Sequence, residues 1–260
     1  MRIGSLFSGI GAFELGLDRA IPGANTVWQV EQDPYARAVL AKHWPNARRY
    51  NDVREVGAHN LEPVDLICGG FPCQDISAAG KRAGITGSRS GLWSEYARII
   101  RELRPRFVVV ENVPALRFWG MGRVLGDLMA TGGYDASWDC IPAAAVGAPH
   151  RRDRIFLVAY TDGEPIRNKQ SIRKKRQKST KLGSNGEEKP LARFRPNEVS
   201  RITGWSSMSR VCRNHHGVSN RLDRMRCLGN AVVPQVAEVV GDVVLQIETR
   251  LRSMLDGGQH

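Results

Sequence analysis

The feature that most constrains the fold is a set of short apolar runs with no polar interruption. VDLICGG at 64–70, FVVVENV at 107–113 and IFLVAY at 155–160 are the clearest. A strand with one wet face would alternate apolar and polar residues. These runs do not alternate, so both of their faces must be covered. Two further strands are expected at 2–7 and 26–31. Helices are expected between them, at about 12–20, at 34–43 with Pro34 in the first turn, at 93–103, and at 121–131 before the Gly132-Gly133 pair. Apolar strands separated by helices imply an α/β fold with a mostly parallel sheet and helices on both faces.

This rhythm stops near residue 161 and resumes after Pro234. There Val236, Val239, Val240, Val243, Val244, Ile247 and Leu251 recur at helical spacing. The reading is an α/β unit over 1–160, a basic segment over 161–220, and a return to the first unit over 221–260. The charge agrees with that division. The chain has 38 Lys and Arg against 26 Asp and Glu, and residues 164–226 hold 17 basic and 5 acidic residues. The remaining 21 basic and 21 acidic residues cancel, so one segment carries the whole net charge of +12. That segment is either a solvated, partly disordered basic loop or an electrostatic footprint for a polyanion, nucleic acid foremost. No apolar run approaches the ~18 residues of a membrane span. The first residues lack the pattern of a secretory leader. Five cysteines are an odd count and do not read as a disulfide framework, which suits a reducing cytoplasm.

Four short elements carry chemistry. F-S-G-I-G-A-F-E-L-G at 7–16 puts glycines at a strand-to-helix turn, where a ligand can approach the backbone and the helix N–H groups. It is not a dinucleotide fingerprint, because Glu14 stands where a third glycine is required, nor is it a P-loop. Glu31 follows 20 positions after Gly11, where such folds place a carboxylate for ribose hydroxyls. G-G-F-P-C-Q-D-I-S at 69–77 sets Cys73 behind a proline at a strand end, as either a nucleophile or a structural thiol like Cys68. The glycine-rich stretch 77–91 has the composition of a lid. Glu111 ends an apolar strand, where a carboxyl group is costly unless used or paired. H-R-R-D-R at 150–154 suits a phosphate, a base, or plain solvation. Cys212, His215, His216 and Cys227 lie within 16 residues, but their spacing matches no standard zinc module and no metal site is expected.

Taken in order, Phe7–Gly11, Glu31, Asp52, Pro72-Cys73, Glu111-Asn112-Val113, Arg152-x-Arg154 and Gly229-Asn230 resemble the cytosine carbon-5 DNA methyltransferase family. The resemblance covers about residues 1–160 and 221–250. It implies a Rossmann-like S-adenosylmethionine-dependent methyltransferase fold with a short basic target-recognition segment. Cys73 would add to carbon 6 of cytosine, Glu111 would hold ring nitrogen 3 and the exocyclic amine, and Arg152 and Arg154 would hold the base and the thiolate environment. Phe7, Gly9, Ile10, Gly11, Glu31, Gln32, Asp52, Val53, Pro72, Leu92 and Asn230 would contact S-adenosyl-L-methionine. Gln32 stands where some members carry an aromatic residue. The implied partner is double-stranded DNA with the target base flipped out. A monomer in a prokaryotic or phage-infected cell is expected, in a restriction-modification or DNA-protection setting with or without a cognate endonuclease. The alternatives are a tRNA cytosine-5 methyltransferase and a DNA-binding relative with weak or no catalysis.

Overall fold

A computed structural model describes residues 1–72, 92–161 and 227–256. The apolar runs pair as strands β1 (Arg2–Leu6), β2 (Asn25–Val30), β4 (Leu66–Gly70), β5 (Phe107–Asn112) and β7 (Asp153–Tyr160). Two strands lack such a run, β3 (Arg48–Tyr50) and β6 (Asp135–Pro142). Among the described residues they make one sheet in the order β3-β2-β1-β4-β5-β7-β6. β1 to β5 are mutually parallel, and β7 runs antiparallel between β5 and β6. The helices are α1 (Ala12–Ala20), α2 (Pro34–His43), α3 (Leu92–Leu103), α4 (Leu116–Trp119), α5 (Met121–Gly132) and α6 (Pro234–Asp256).

The reason for the unbroken runs is visible in β5. Val108 and Val110 enter one core with Ile99 and Ile100 of α3 and Leu128 of α5. Phe107 and Val109 enter the other core with Leu17 of α1 and Val240 and Val244 of α6. Each face is dry, so each position is apolar. The edge strands escaped expectation because they carry a different signal. β3 has only Arg, Arg and Tyr and is held by pairing with β2. In β6, Ala136, Trp138 and Cys140 pack on the first core while Asp135 and Asp139 are exposed, the period-two pattern of a half-buried edge. The expected helix boundaries at 12–20 and 34–43 match α1 and α2. Asp33 caps α2 by accepting from the N–H groups of Tyr35 and Ala36, with Pro34 at the first helical position.

The stretch from Cys227 to Ser253, which holds most of α6, is the one segment among the described residues long and apolar enough, by length and composition only, to cross a membrane. Its Val236, Ala237, Val240 and Val244 are buried in the core they share with α1. The chain therefore returns after the basic segment to the layer it started from. Residues 162–226, which include Cys212, His215 and His216, lie outside the described residues. No group of three or more metal-ligating side chains occurs among the described residues.

Candidate active site

The carboxyl ends of β1 to β5, the start of β7 and the residues before α6 surround one cavity of about 560 Å³. This is where parallel α/β sheets bind ligands, because strand order reverses beside β1 and the loops diverge. β1 ends in a loop whose backbone is left-handed at Phe7 (φ 55°), Gly9 (φ 55°) and Gly11 (φ 83°). A phenylalanine rarely adopts that conformation, and such strain concentrates at functional sites. A side chain at Gly11 would run into the Trp44 ring, so Gly11 lies behind the loop as the N-cap of α1. Gly9 and Ile10 face the cavity with Phe7.

The Glu31 carboxylate locks this loop to the end of β2. Its Oε2 accepts from Gly9 N at 2.7 Å and its Oε1 from Asp33 N at 2.8 Å. Both oxygens are thereby aimed, and each keeps a lone pair for a ligand. Gln32 joins Glu31 on the wall. Beyond β3, Asp52 and Val53 complete that side. Asp52 accepts from Arg54 Nη2 at 2.6 Å and from Arg54 N at 2.9 Å. The Arg54 hydrogen bonds hold the Asp52 carboxyl below its ordinary range. Arg98 of α3 anchors the same turn, donating from Nη2 to Val53 O at 3.1 Å and to Val56 O at 2.8 Å. Glu95 and Glu102 orient its guanidinium. The Glu95–Arg98–Glu102 spacing was readable as a helix-face ion-pair set, but its target across the turn was not.

The opposite side is built on β4 and β5. Gly70 pairs with Glu111 in the ladder, and a side chain at Gly70 would collide with Glu111 Oε2. Glycine there lets the carboxyl lie across the end of β4. Asn112 donates from Nδ2 to Phe71 O at 3.1 Å and so ties the residue before Pro72 to β5. Glu111 Oε1 meets Arg154 Nε at 3.0 Å. Burial raises the Glu111 pKa to about 7, against the opposing pull of the Arg154 and Arg152 charges. At neutral pH this carboxyl is poised between a hydrogen-bond donor and a carboxylate.

Of the residues expected at the site, Phe7, Gly9, Ile10, Glu31, Gln32, Asp52, Val53, Pro72, Leu92, Glu111, Arg154 and Asn230 all line the cavity. Arg152 is turned toward the chain before α6, donating to Gly229 O at 2.5 Å and to Ala231 O at 2.8 Å. It therefore grips the backbone on both sides of Asn230. Cys73 and the stretch 77–91 lie outside the described residues, but Pro72, the residue before Cys73, is on the wall.

The family model of the C-5 cytosine-specific DNA methylases matches residues 1–182. The chain belongs to that family. Among curated relatives, this methylase-family chain is 38% identical over 172 residues to the Type II methyltransferase M2.BsuMI of Bacillus subtilis, covering 64% of this chain and 43% of that one. It is 32% identical over 171 residues to the Type II methyltransferase M.HhaI of Haemophilus parahaemolyticus, covering 65% and 51%. The match thus spans about half the length of these relatives. A candidate DNA modification methyltransferase encoded within an E. coli prophage superposes with a TM-score of 0.52 at 28% identity, over 62% of this chain and 47% of that one. The S. pombe Dnmt2 methyltransferase superposes at 0.51 with 20% identity, over 63% and 52%, a likeness of fold alone.

Proposed function

We propose that the chain is a DNA (cytosine-5-)-methyltransferase that modifies a flipped cytosine through a covalent Cys73 adduct. The observation that carries this reading is one cavity shared by a buried carboxyl, Glu111, held by Arg154, and a glycine loop, with Pro72 leading into Cys73. The other half of the cavity suits S-adenosyl-L-methionine. Gly9 has no atom within 4 Å of where a side chain would begin, which leaves room for a ligand against the backbone. Glu31 and Asp52 offer acceptors for ribose hydroxyls and an adenine amine, and Phe7, Ile10, Val53 and Leu92 offer apolar walls. Asn230 closes the site with its backbone held by Arg152. Bound there, the cofactor supplies the electrophilic methyl group that carbon 5 receives.

The chain's own residues do the activating. The Cys73 thiolate forms a bond to carbon 6, and the electron pair released into the ring makes carbon 5 nucleophilic. Protonated Glu111 donates to ring nitrogen 3 as that charge develops and accepts from the exocyclic amine. Arg154 holds Oε1, which leaves Oε2 over β4 for the ring. After methylation, water takes the carbon-5 proton, that electron pair re-forms the carbon 5–carbon 6 double bond as Cys73 leaves as the thiolate, and the nitrogen-3 proton returns to Glu111. Double-stranded DNA is the partner, reached by a monomer, and a bacterial or phage-infected cytoplasm with a restriction-modification or protective role fits the names of the relatives. The test is transfer of a labelled methyl group to duplex DNA and, in parallel, to tRNA. Labelled DNA is expected, and label in tRNA alone would overturn the reading. An oligonucleotide with 5-fluorocytosine should trap the parent chain covalently and not Cys73→Ala.

A further inference from the structure

A stack of rings runs between the two walls of the cavity. Phe7, in the loop after β1, and Phe71, just after β4, both line it. Trp93 and Tyr96 of α3 do not line it but join them. Ring centres are 6.2 Å apart for Phe7 and Tyr96, 5.5 Å for Tyr96 and Trp93, and 5.3 Å for Trp93 and Phe71, all within the range of aromatic attraction. Phe71, Trp93 and Tyr96 are buried. Each α3 ring is also fixed by its polar tip. Tyr96 OH donates to Val109 O of β5 at 3.1 Å. Trp93 Nε1 donates to Asp127 Oδ2 of α5 at 2.9 Å. A phenylalanine would supply the burial. What the indole adds is an orientation set by a carboxylate on the neighbouring helix.

Phe71 is therefore held twice. Its ring meets Trp93, and its carbonyl oxygen accepts from Asn112 Nδ2 at 3.1 Å. Pro72 follows with its own φ fixed by the pyrrolidine ring, so the direction in which the chain leaves β4 is decided at Phe71. We propose that Trp93, anchored by Asp127, is a positioning residue that acts through Phe71 and Pro72 to aim the chain toward the nucleophile. The proposal rests on the methyltransferase reading, in which Cys73 is that nucleophile. In a close-packed interior a turned indole shifts Phe71 rather than leaving a gap, and a misplaced nucleophile slows chemistry far more than it weakens binding.

The test is steady-state methyl transfer by the full chain to duplex DNA, with the single-turnover rate of covalent trapping on a 5-fluorocytosine duplex. The variants are Trp93→Phe, Asp127→Leu and the two combined. Asp127 is partly exposed on α5 and away from the cavity, so its substitution leaves the core intact should Trp93→Phe fold poorly. Each single variant should lose about tenfold in kcat and in trapping rate, with the KM for S-adenosyl-L-methionine within about twofold of the parent. The double variant should be no slower than Trp93→Phe, because both changes remove one interaction. Asp127→Asn, which keeps an oxygen acceptor, should recover most of the rate. Arg123→Ala removes the other partner of Asp127 Oδ2 and should leave kcat at the parent value. Parent-like kcat in Asp127→Leu would overturn the proposal, as would multiplied losses in the double variant or an equal loss in Arg123→Ala. A parent that neither methylates nor is trapped takes the methyltransferase reading down with it, whereas an active parent with an unaffected Asp127→Leu takes down this proposal alone.

Discussion

Two buried carboxyls sit on either side of the glycine loop, and both are pushed up to about pH 7 by burial. Their surroundings differ. Glu111 opens on the cavity and has Arg154 at 3.0 Å with Arg152 nearby. Glu14, in the first turn of α1, is fully buried and faces no cation among the described residues. It accepts from Gln29 Nε2 at 3.3 Å, and its Oε2 has no hydrogen-bond partner among the described residues. A shared pKa therefore does not mean a shared role. Glu111 is held by a charge that a ligand can compete with or reinforce. Glu14 is a sealed polar group whose ionisation costs the fold and serves no substrate.

The largest expected effect separates them by activity. Glu111→Gln should lower methyl transfer by about 10²–10⁴-fold, whereas Glu14→Gln should stay close to the parent rate in the same assay. An equal loss in both would erase the distinction. The next effect is on stability, where the same linkage acts on both carboxyls. The folded pKa of Glu14 lies above its ordinary 4.5, so its contribution is complete below that value and is lost as pH rises through about 7. The share of the parent's loss over that window that belongs to Glu14 is about 3 kcal/mol. Glu14→Gln should keep a flatter profile in urea unfolding at pH 5 and pH 8.

Smaller effects probe the cations. The Arg154 charge lowers the Glu111 pKa, so Arg154→Met should raise it further. The alkaline limb of the methyl-transfer profile should then move up by roughly one pH unit. Arg98→Met removes the two hydrogen bonds that anchor the 53–56 turn, and it should raise the KM for S-adenosyl-L-methionine about fivefold with little change in kcat. At the bottom of the scale, Arg123→Ala breaks an exposed pair with Asp127 on α5 and should cost about 0.3–0.5 kcal/mol in chemical denaturation. A larger value would mean that surface pairs here behave like the Glu111–Arg154 pair.

How far the chain could be read in advance follows from the range of each signal. The runs at 64–70, 107–113 and 155–160 announced central strands because two dry faces force every position to be apolar. Glycine at 9 and 11 announced the loop because the left-handed backbone there is a local demand. β3 stayed hidden because three residues with two arginines carry no apolar run and hold their place by pairing with β2 and by hydrogen bonds to Trp44 and Asn60. β6 had a period-two signal, but a weaker one than its neighbours.

The amino-acid order by itself determined the α/β class and the glycine loop, and it pointed to Glu31 and Glu111, which both line the cavity, and to the chemistry that their spacing resembles. Those follow from local conformation and burial pattern, which act over a few residues. Only the folded chain decided that Arg154 rather than Arg152 pairs with Glu111, that Arg152 holds Gly229, beside Asn230, from 77 residues away, and that Glu14 faces no cation among the described residues. Such partnerships join residues distant in sequence, and the sheet order that brings them together is a property of all its strands at once.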